Sequence, residues 1–516
     1  MRAVFVLFDS LNRHDLGCYG GKLPTPNFDR FAARALTFDN HFVGSLPCMP
    51  ARRDMHTGRM NFMHRSWGPL EPFDNSMPEI LSQAGVHTHL LSDHFHYLED
   101  GGATYHNRYS TWEIIRGQEY DCWGALAKPP VEEFRRQYSD KHYNSAAHKN
   151  RLQHQVNRHF IREEADFPGQ QCFARAFEFL DNNRAADDWL LHLECFDPHE
   201  PFVAPQRFHD RFPTDYDGPI LDWPHYGRSE DTPEEIAQIR ANYAALLTMC
   251  DESFGRLLDY FDAHDLWADT ALIVSTDHGF LLAEHDLWGK NMTPWYDELA
   301  RIPLLMHVPG VTPARAGQRC AMVTQTPDLM PTLLELFGQN IPAEVCAPSI
   351  LSRLEGDDDG RAVIFGMFGG PIGVADSTHR LILYPPDLDD ESLGEYTLMP
   401  THLHSLFTPE ELRDATLHPP LDFTKGVPVL RIPARVGAKR PPGPDREVFR
   451  SFSTMLFEIA ADPAQLTPIR DDAVQARLVD VILRELQRHD ATPEFYRWMG
   501  LCDAAPSDPG EAEVTA

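Results

Sequence analysis

Residues 270–280 read TALIVSTDHGF. The apolar run 271–275 is too short for a helix and shows no polar alternation. It therefore reads as a strand covered on both faces, the kind that lies inside a parallel sheet. Runs 4–8, 86–91, 189–196 and 302–308 have the same character. Helix signals fall between them. Thr25-Pro26-Asn27 places a capping residue before proline and opens a helix through Phe28, Phe31 and Ala35; Thr232-Pro233-Glu234-Glu235 opens a long one toward Phe261; Thr326-Pro327-Asp328 opens another that Gly338 closes. Strands alternating with helices give an α/β fold, a large doubly wound, mostly parallel sheet flanked by helices.

A chain of 516 residues exceeds one ordinary core. Residues 1–345 read as the main domain. Within it, about 101–187 is polar, aromatic and rich in His and Arg, without a clear buried strand. It reads as an insertion near the site mouth or an oligomer contact. Residues 346–502 have the texture of a smaller C-terminal α+β domain, with strand-like runs 362–365 and 381–384, prolines at 419–420 and 441–444, and a late helix over 473–488. Residues 503–516 read as a tail.

The net charge of −31 opposes binding to nucleic acid and to anionic membranes. An anionic substrate would need a local positive field. Nine cysteines, an odd number without zinc spacing, suit a reducing compartment. No apolar run approaches the ~20 residues that span a bilayer. The expectation is a cytoplasmic protein and a homo-oligomer, dimer or tetramer.

In open parallel sheets, ligands bind beyond the carboxyl ends of the strands. Asp9-Ser10 follows run 4–8, Asp277-His278 follows run 271–275, and Asp197-Pro198-His199 follows run 189–196. Each alone reads as a turn former or a core histidine; together they favour a site. Two carboxylates and an imidazole suit a divalent cation, with oxygen donors favouring Ca²⁺, Mg²⁺ or Mn²⁺ and the imidazole tilting toward Mn²⁺. Residues 45–59, SLPCMPARRDMHTGR, look like no regular helix or strand and set a cysteine beside Pro50 and near Arg52.

Cys48-Met49-Pro50-Ala51-Arg52 resembles the C-x-P-x-R signature at which sulfatases have a cysteine oxidised to formylglycine, and Thr57-Gly58-Arg59 resembles its auxiliary part. FDSLNRHDLGCYG, DPHEPF, STDHGFLLAEHDLWGK and TPDLMPTLLELFG are similar, in the same order, to other landmarks of the sulfatase branch of the alkaline phosphatase superfamily. The resemblance covers roughly residues 3–338 well. It implies an alkaline-phosphatase-like fold and one divalent metal ion, Mn²⁺ or Ca²⁺, on Asp9, Asp277 and His278. It also implies that a formylglycine-generating enzyme acts on Cys48 and that Arg52 holds the resulting hydrate. Lys290 would contact the anionic group of a small ester substrate, and His199 would sit by the leaving group. The hydrate would attack sulfur in line, and carbonyl re-formation would expel the inorganic anion. His285, His14 and His192 read as structural.

Two departures matter. Many sulfatases carry paired aspartates after the first strand and Asp-Asn after the later one; here Asp9-Ser10 and Asp277-His278 leave two carboxylates. A less negative core tolerates phosphorus substrates better, as in the similar phosphonate monoester hydrolases. Where the family has Lys-x-His, this chain reads Ser92-Asp93-His94-Phe95-His96, so the lysine position is Asp93, and His94 or His96 takes over part of the role, contacting substrate. The leading reading is hydrolysis of sulfate monoesters. Alternatives are a phosphonate monoester or phosphodiester hydrolase with the same nucleophile, and an inactive relative that binds sulfated ligands.

Overall fold

The computed structural model describes residues 1–143, 149–291, 294–356, 360–434 and 448–505. The proline cluster 441–444 and residues 506–516 of the expected tail lie outside the described residues. The main sheet is nine-stranded: β1 (Arg2–Phe8), β2 (Leu36–Phe42), β3 (His87–Ser92), β4 (Thr111–Ile114), β5 (Trp189–Cys195), β7 (Thr270–Thr276), β10 (Arg301–Ile302), β11 (Leu304–His307) and β12 (Arg319–Gln325). The order is β10-β2-β11-β7-β1-β5-β3-β4, with β12 on β2. β4, β3, β5, β1 and β7 run parallel to one another. Run 302–308 is not one parallel strand. Pro303, which has no N–H to donate, divides it, and β11 pairs antiparallel with both β7 and β2. The segment 101–187 contributes β4, a half-exposed strand at the sheet edge.

β1 shows why the sheet is covered on both sides. Val4, Val6 and Phe8 pack with Phe28, Phe173 and Phe254 on one face. Ala3, Phe5 and Leu7 pack with Leu36, Met55, Met306 and Leu333 on the other. The period of two sends alternate side chains into separate helical layers, and both layers are apolar. The long helix Pro233–Ala263 carries the expected cap, with the Thr232 hydroxyl accepting from Glu235 N–H. The helix opened at Pro26 ends at Ala32, before Ala35.

Residues 48–57 form a buried α-helix, Cys48–Thr57, ended by Gly58 in the left-handed region at φ 63°. Pro50 misleads the sequence reading. It lies in the first helical turn, where backbone N–H groups have no intrahelical partner, so its missing donor costs nothing there.

Three smaller sheets complete the chain. β6 (Gly227–Arg228), β8 (Leu281–Leu282) and β9 (Leu287–Gly289) lie beside the main sheet's carboxyl end. An antiparallel sheet of β13 (Val363–Gly366), β14 (Ile372–Ala375), β15 (His379–Leu383) and β19 (Met455–Glu458) packs on the helix Asp472–Arg488 through Ile364, Val374, Leu381, Leu478, Ile482 and Leu486. β16 (Gly394–Thr397), β18 (Val429–Pro433) and β17 (Thr416–His418) form the third. β13 braces the segment before Cys48. Leu46 N–H donates to Gly366 O at 2.8 Å and Gly366 N–H to Gly44 O at 3.1 Å. All nine cysteines are free thiols, and among the described residues no helix is long and apolar enough to cross a membrane.

The loops after β3 and β5 are joined beneath the sheet rim by two buried acids. Asp93 Oδ1 accepts Phe196 N–H at 2.6 Å. Gln118 Nε2 donates to Asp93 Oδ2 at 2.8 Å and to Asp197 Oδ1 at 3.2 Å. Asp197 Oδ2 has no hydrogen-bond partner among the described residues. Burial pushes the Asp93 carboxyl up from 3.8 to about 6, and burial followed by the charge of Asp93 pushes Asp197 well above the usual carboxylate range. Asp197 therefore keeps the proton. Both folded values lie above the unfolded one, so the folded chain binds more protons and this pair costs stability as pH rises through about 6. Asp197→Asn, which supplies a neutral amide in place of the protonated acid, is expected to flatten the fall in melting temperature between about pH 5 and 8. An unchanged slope in thermal melts of the variant would contradict this assignment.

Candidate active site

The strand register delivers the site. Phe8 stands beside Thr276 and beside Cys195, so Asp9 and Asp277 emerge next to each other. Ser10, at φ 59°, turns its N–H onto Asp277 Oδ1 at 3.2 Å, and its hydroxyl donates to Asp9 Oδ1 at 2.8 Å. Asn12 ties the two loops together, donating to Phe280 O at 2.9 Å and accepting Phe280 N–H at 2.7 Å. Gly279 is required here, because a Cβ would lie 1.9 Å from Glu298 O.

Cys48 begins its helix in the same place. Its Sγ lies 3.2 Å from His278 Nε2. One ligand atom from each of Asp9, Cys48, Asp277 and His278 lies within 4.8 Å of the others, and all four residues are buried. His278 Nδ1 donates to Gly279 O at 2.9 Å. That bond leaves the Nε2 lone pair aimed at the cluster, the arrangement a metal-binding imidazole needs. The donor set fits a divalent cation.

One helical turn after Cys48, Arg52 spends its guanidinium on the strand ends. It donates to Glu194 Oε1 at 2.7 Å, Asp277 Oδ2 at 2.6 Å, Asp9 Oδ2 at 2.9 Å and Cys48 O at 2.9 Å. Burial opposes its charge, but Glu194, Asp277 and Asp9 hold it well above its ordinary value. Burial likewise opposes ionisation of Asp9, which His199, Lys290 and Arg52 then hold well below the carboxylate range. Burial, then the Asp9 charge, push the Cys48 thiol well up. A thiolate is disfavoured at this position.

Lys290 Nζ lies 3.3 Å from Ser10 Oγ, 3.6 Å from Glu200 Oε2 and 3.9 Å from Asp9 Oδ1. Burial lowers its pKa, but the carboxylates of Glu200 and Asp9 outweigh that and raise it, so it stays an ammonium. His199 Nδ1 donates to Glu200 O and leaves Nε2 as the remaining ring nitrogen. Burial, then Lys290, hold His199 well below the usual imidazole range. Cys48, His199 and Lys290 line one cavity of about 460 Å³, together with Trp67, His96, Glu119, Tyr120, Tyr226 and His404.

The two histidines after β3 separate. His94 is fully buried, with Nε2 at 3.3 Å from Asp9 Oδ2, and backs the aspartate rather than the cavity wall. His96 lies on the wall. Asp93, at the lysine position, points to Phe196 and Gln118 instead. His285 stacks on Tyr296 and His192 on Phe5, neither on the cavity wall. Sequence reasoning missed Glu194, Glu200 and Tyr97. Glu194 accepts from Arg52 and, at 2.6 Å, from the Tyr97 hydroxyl. A lone acid inside the apolar run WLLHLEC was the available signal, because a strand buried on both faces tolerates a carboxylate only beside a cation.

Known proteins are similar to this chain in sequence and in fold. The Multifunctional alkaline phosphatase superfamily protein PehA of Trinickia caryophylli is 27% identical over 374 residues, covering 64% of this chain and 71% of that protein. The N-acetylglucosamine-6-O-sulfatase of Bacteroides thetaiotaomicron is 23% identical over 471 residues, covering 78% and 82%. The crystal structure of the phosphonate monoester hydrolase of Agrobacterium radiobacter superposes with a TM-score of 0.64 at 17% identity, over 95% of this chain and 96% of that one, and so shares the fold. The sequence model of the family described as Sulfatase matches residues 2–339, more than half of the chain, which therefore belongs to the sulfatase family.

Proposed function

We propose that this chain hydrolyses sulfate monoesters and that its Cys48 acts after conversion to formylglycine by a formylglycine-generating enzyme. The observation that carries this reading is the position of Cys48, within the Asp9–Asp277–His278 ligand cluster and on the wall of the cavity that His199 and Lys290 share. An unmodified thiol held neutral there is a poor nucleophile, and sulfur transfer to it would leave a product with no easy exit. As formylglycine, residue 48 would supply a nucleophilic oxygen for displacement at sulfur and a means of releasing sulfate without attack by water on a covalent ester. A divalent cation, Mn²⁺ or Ca²⁺, held by Asp9, Asp277 and His278 supplies Lewis acidity beside residue 48.

The chain's own residues do the rest. Arg52 fixes Asp9, Asp277 and the residue 48 carbonyl in one geometry, so little reorganisation accompanies reaction. Lys290 offers an ammonium to the ester's equatorial oxygens. His199 presents Nε2 to the departing oxygen. The arriving anion favours the imidazolium, which then gives its proton to the leaving group. His96 and His94 stand at different depths, and His96 is the one placed to meet substrate. Trp67, Tyr120 and Tyr226 give the organic part aromatic walls. Tyr226 also borders a neighbouring cavity of about 520 Å³ with His225, Arg228 and Trp288, which extends the space for that part. A cytoplasmic location fits the free thiols, and a homodimer or tetramer is our expectation for the assembly.

A second reading, hydrolysis of phosphonate monoesters or phosphodiesters at the same centre, is favoured by one observation. Among the described residues, Asp9 and Asp277 are the only carboxylates in the ligand cluster, and both are already bonded to Arg52. An inactive, ligand-binding role fits poorly with so complete a set.

Comparison of kcat/KM on an aryl sulfate, an aryl phosphonate monoester and an aryl phosphodiester is expected to rank the sulfate first. A sulfate ester slower than the others by several orders of magnitude would transfer the assignment to phosphorus. His199→Ala is expected to lower kcat by ~10²–10⁴-fold on an alkyl sulfate and much less on an aryl sulfate with an acidic phenol. Equal losses on both would remove His199 from the leaving-group role.

A further inference from the structure

We propose that His96, Glu99 and His404 form a second metal site, for Zn²⁺, at the mouth of the cavity. His96 Nδ1 lies 2.7 Å and His404 Nδ1 2.6 Å from the same oxygen, Glu99 Oε2. One donor atom from each of the three residues lies within 4.8 Å of the others. His96 and Glu99 lie three residues apart on one segment, His404 comes from a distant one, and the backbone holds the two segments together. Gly101 N–H donates to Leu403 O at 2.8 Å, and Leu403 N–H donates to Trp67 O at 3.1 Å. A Cβ on Gly101 would lie 2.4 Å from His402 O, so only glycine permits this approach. Trp67 limits both rings, with centroids 5.5 Å from His96 and 5.3 Å from His404.

Two imidazoles and a carboxylate are a zinc set with one position open. The oxygen-richer centre at Asp9 and Asp277 suits Mn²⁺ or Ca²⁺, so the two sites differ in hardness. For zinc to enter, the carboxylate withdraws by about 1 Å to restore metal–ligand distances of ~2.1 Å. A ring that binds the ion through Nδ1 carries its N–H on Nε2. His96 and His404 both line the cavity, so an ion held there would be reachable by an oxygen donor bound in it. This site goes beyond the sulfate-ester reading and stands without it.

The test uses the full chain, saturated with Ca²⁺ or Mn²⁺ and then dialysed against micromolar Zn²⁺, with bound zinc counted by elemental mass spectrometry. Wild type is expected to hold one more Zn²⁺ per chain than His404→Ala and than Glu99→Gln. Co²⁺ in place of Zn²⁺ is expected to give the intense visible absorption of a four-coordinate ion in wild type and to lose it in both variants. His404 is half-exposed, so its truncation spares the core. Equal zinc content in all three chains would show a hydrogen-bonded clasp without a metal and would overturn the proposal.

Discussion

The site depends on one guanidinium. Arg52 gathers Asp9, Asp277 and Glu194 from the ends of three neighbouring strands, all within the buried interior. Three carboxylates so close would repel one another, and desolvation costs each of them several kcal/mol. One arginine offsets one charge and supplies rigid, planar donors to all three. The two remaining negative charges equal one divalent cation, which is what the Asp9–Cys48–Asp277–His278 cluster is shaped to take. Lys290 faces Glu200 at 3.6 Å and Asp9 at 3.9 Å, so its charge is set against theirs. A chain with a net charge of −31 thus offsets, at this one point, the acids that its strand ends bring together.

The rest of the fold serves that point. Parallel pairing puts the strand ends in register, Asn12 locks the loops after β1 and β7, and the buried Asp93–Gln118–Asp197 bridge holds the loop that carries His199. β13 pins Gly44 and Leu46, so the start of the Cys48 helix is fixed from the C-terminal side. Asp93, just after β3, braces the backbone of the next loop through Phe196 N–H and Gln118.

Much of this was legible in the sequence because β1 and β7 are covered on both faces and read as apolar runs, with Asp9 and Asp277 directly after them. What escaped has definite causes. β2 carries Asp39, Asn40 and His41 within LTFDNHF, so its apolar pattern breaks. The helix at Cys48 is disguised by Pro50, which is harmless only in a first turn. The direction of β11 follows from pairing partners that local pattern does not encode. Glu194 is hidden by apolar neighbours, and His404 meets Glu99 across a separation of 305 residues, beyond the reach of any local motif.

The account stands on the chemical state of residue 48. Mass analysis of the tryptic peptide spanning residues 35–52, from chain produced together with a formylglycine-generating enzyme, measures it directly. The account predicts a species ~18 Da lighter than the cysteine form, in a fraction that rises in step with turnover across preparations. Full turnover in a preparation whose peptide carries only the unmodified thiol would contradict it.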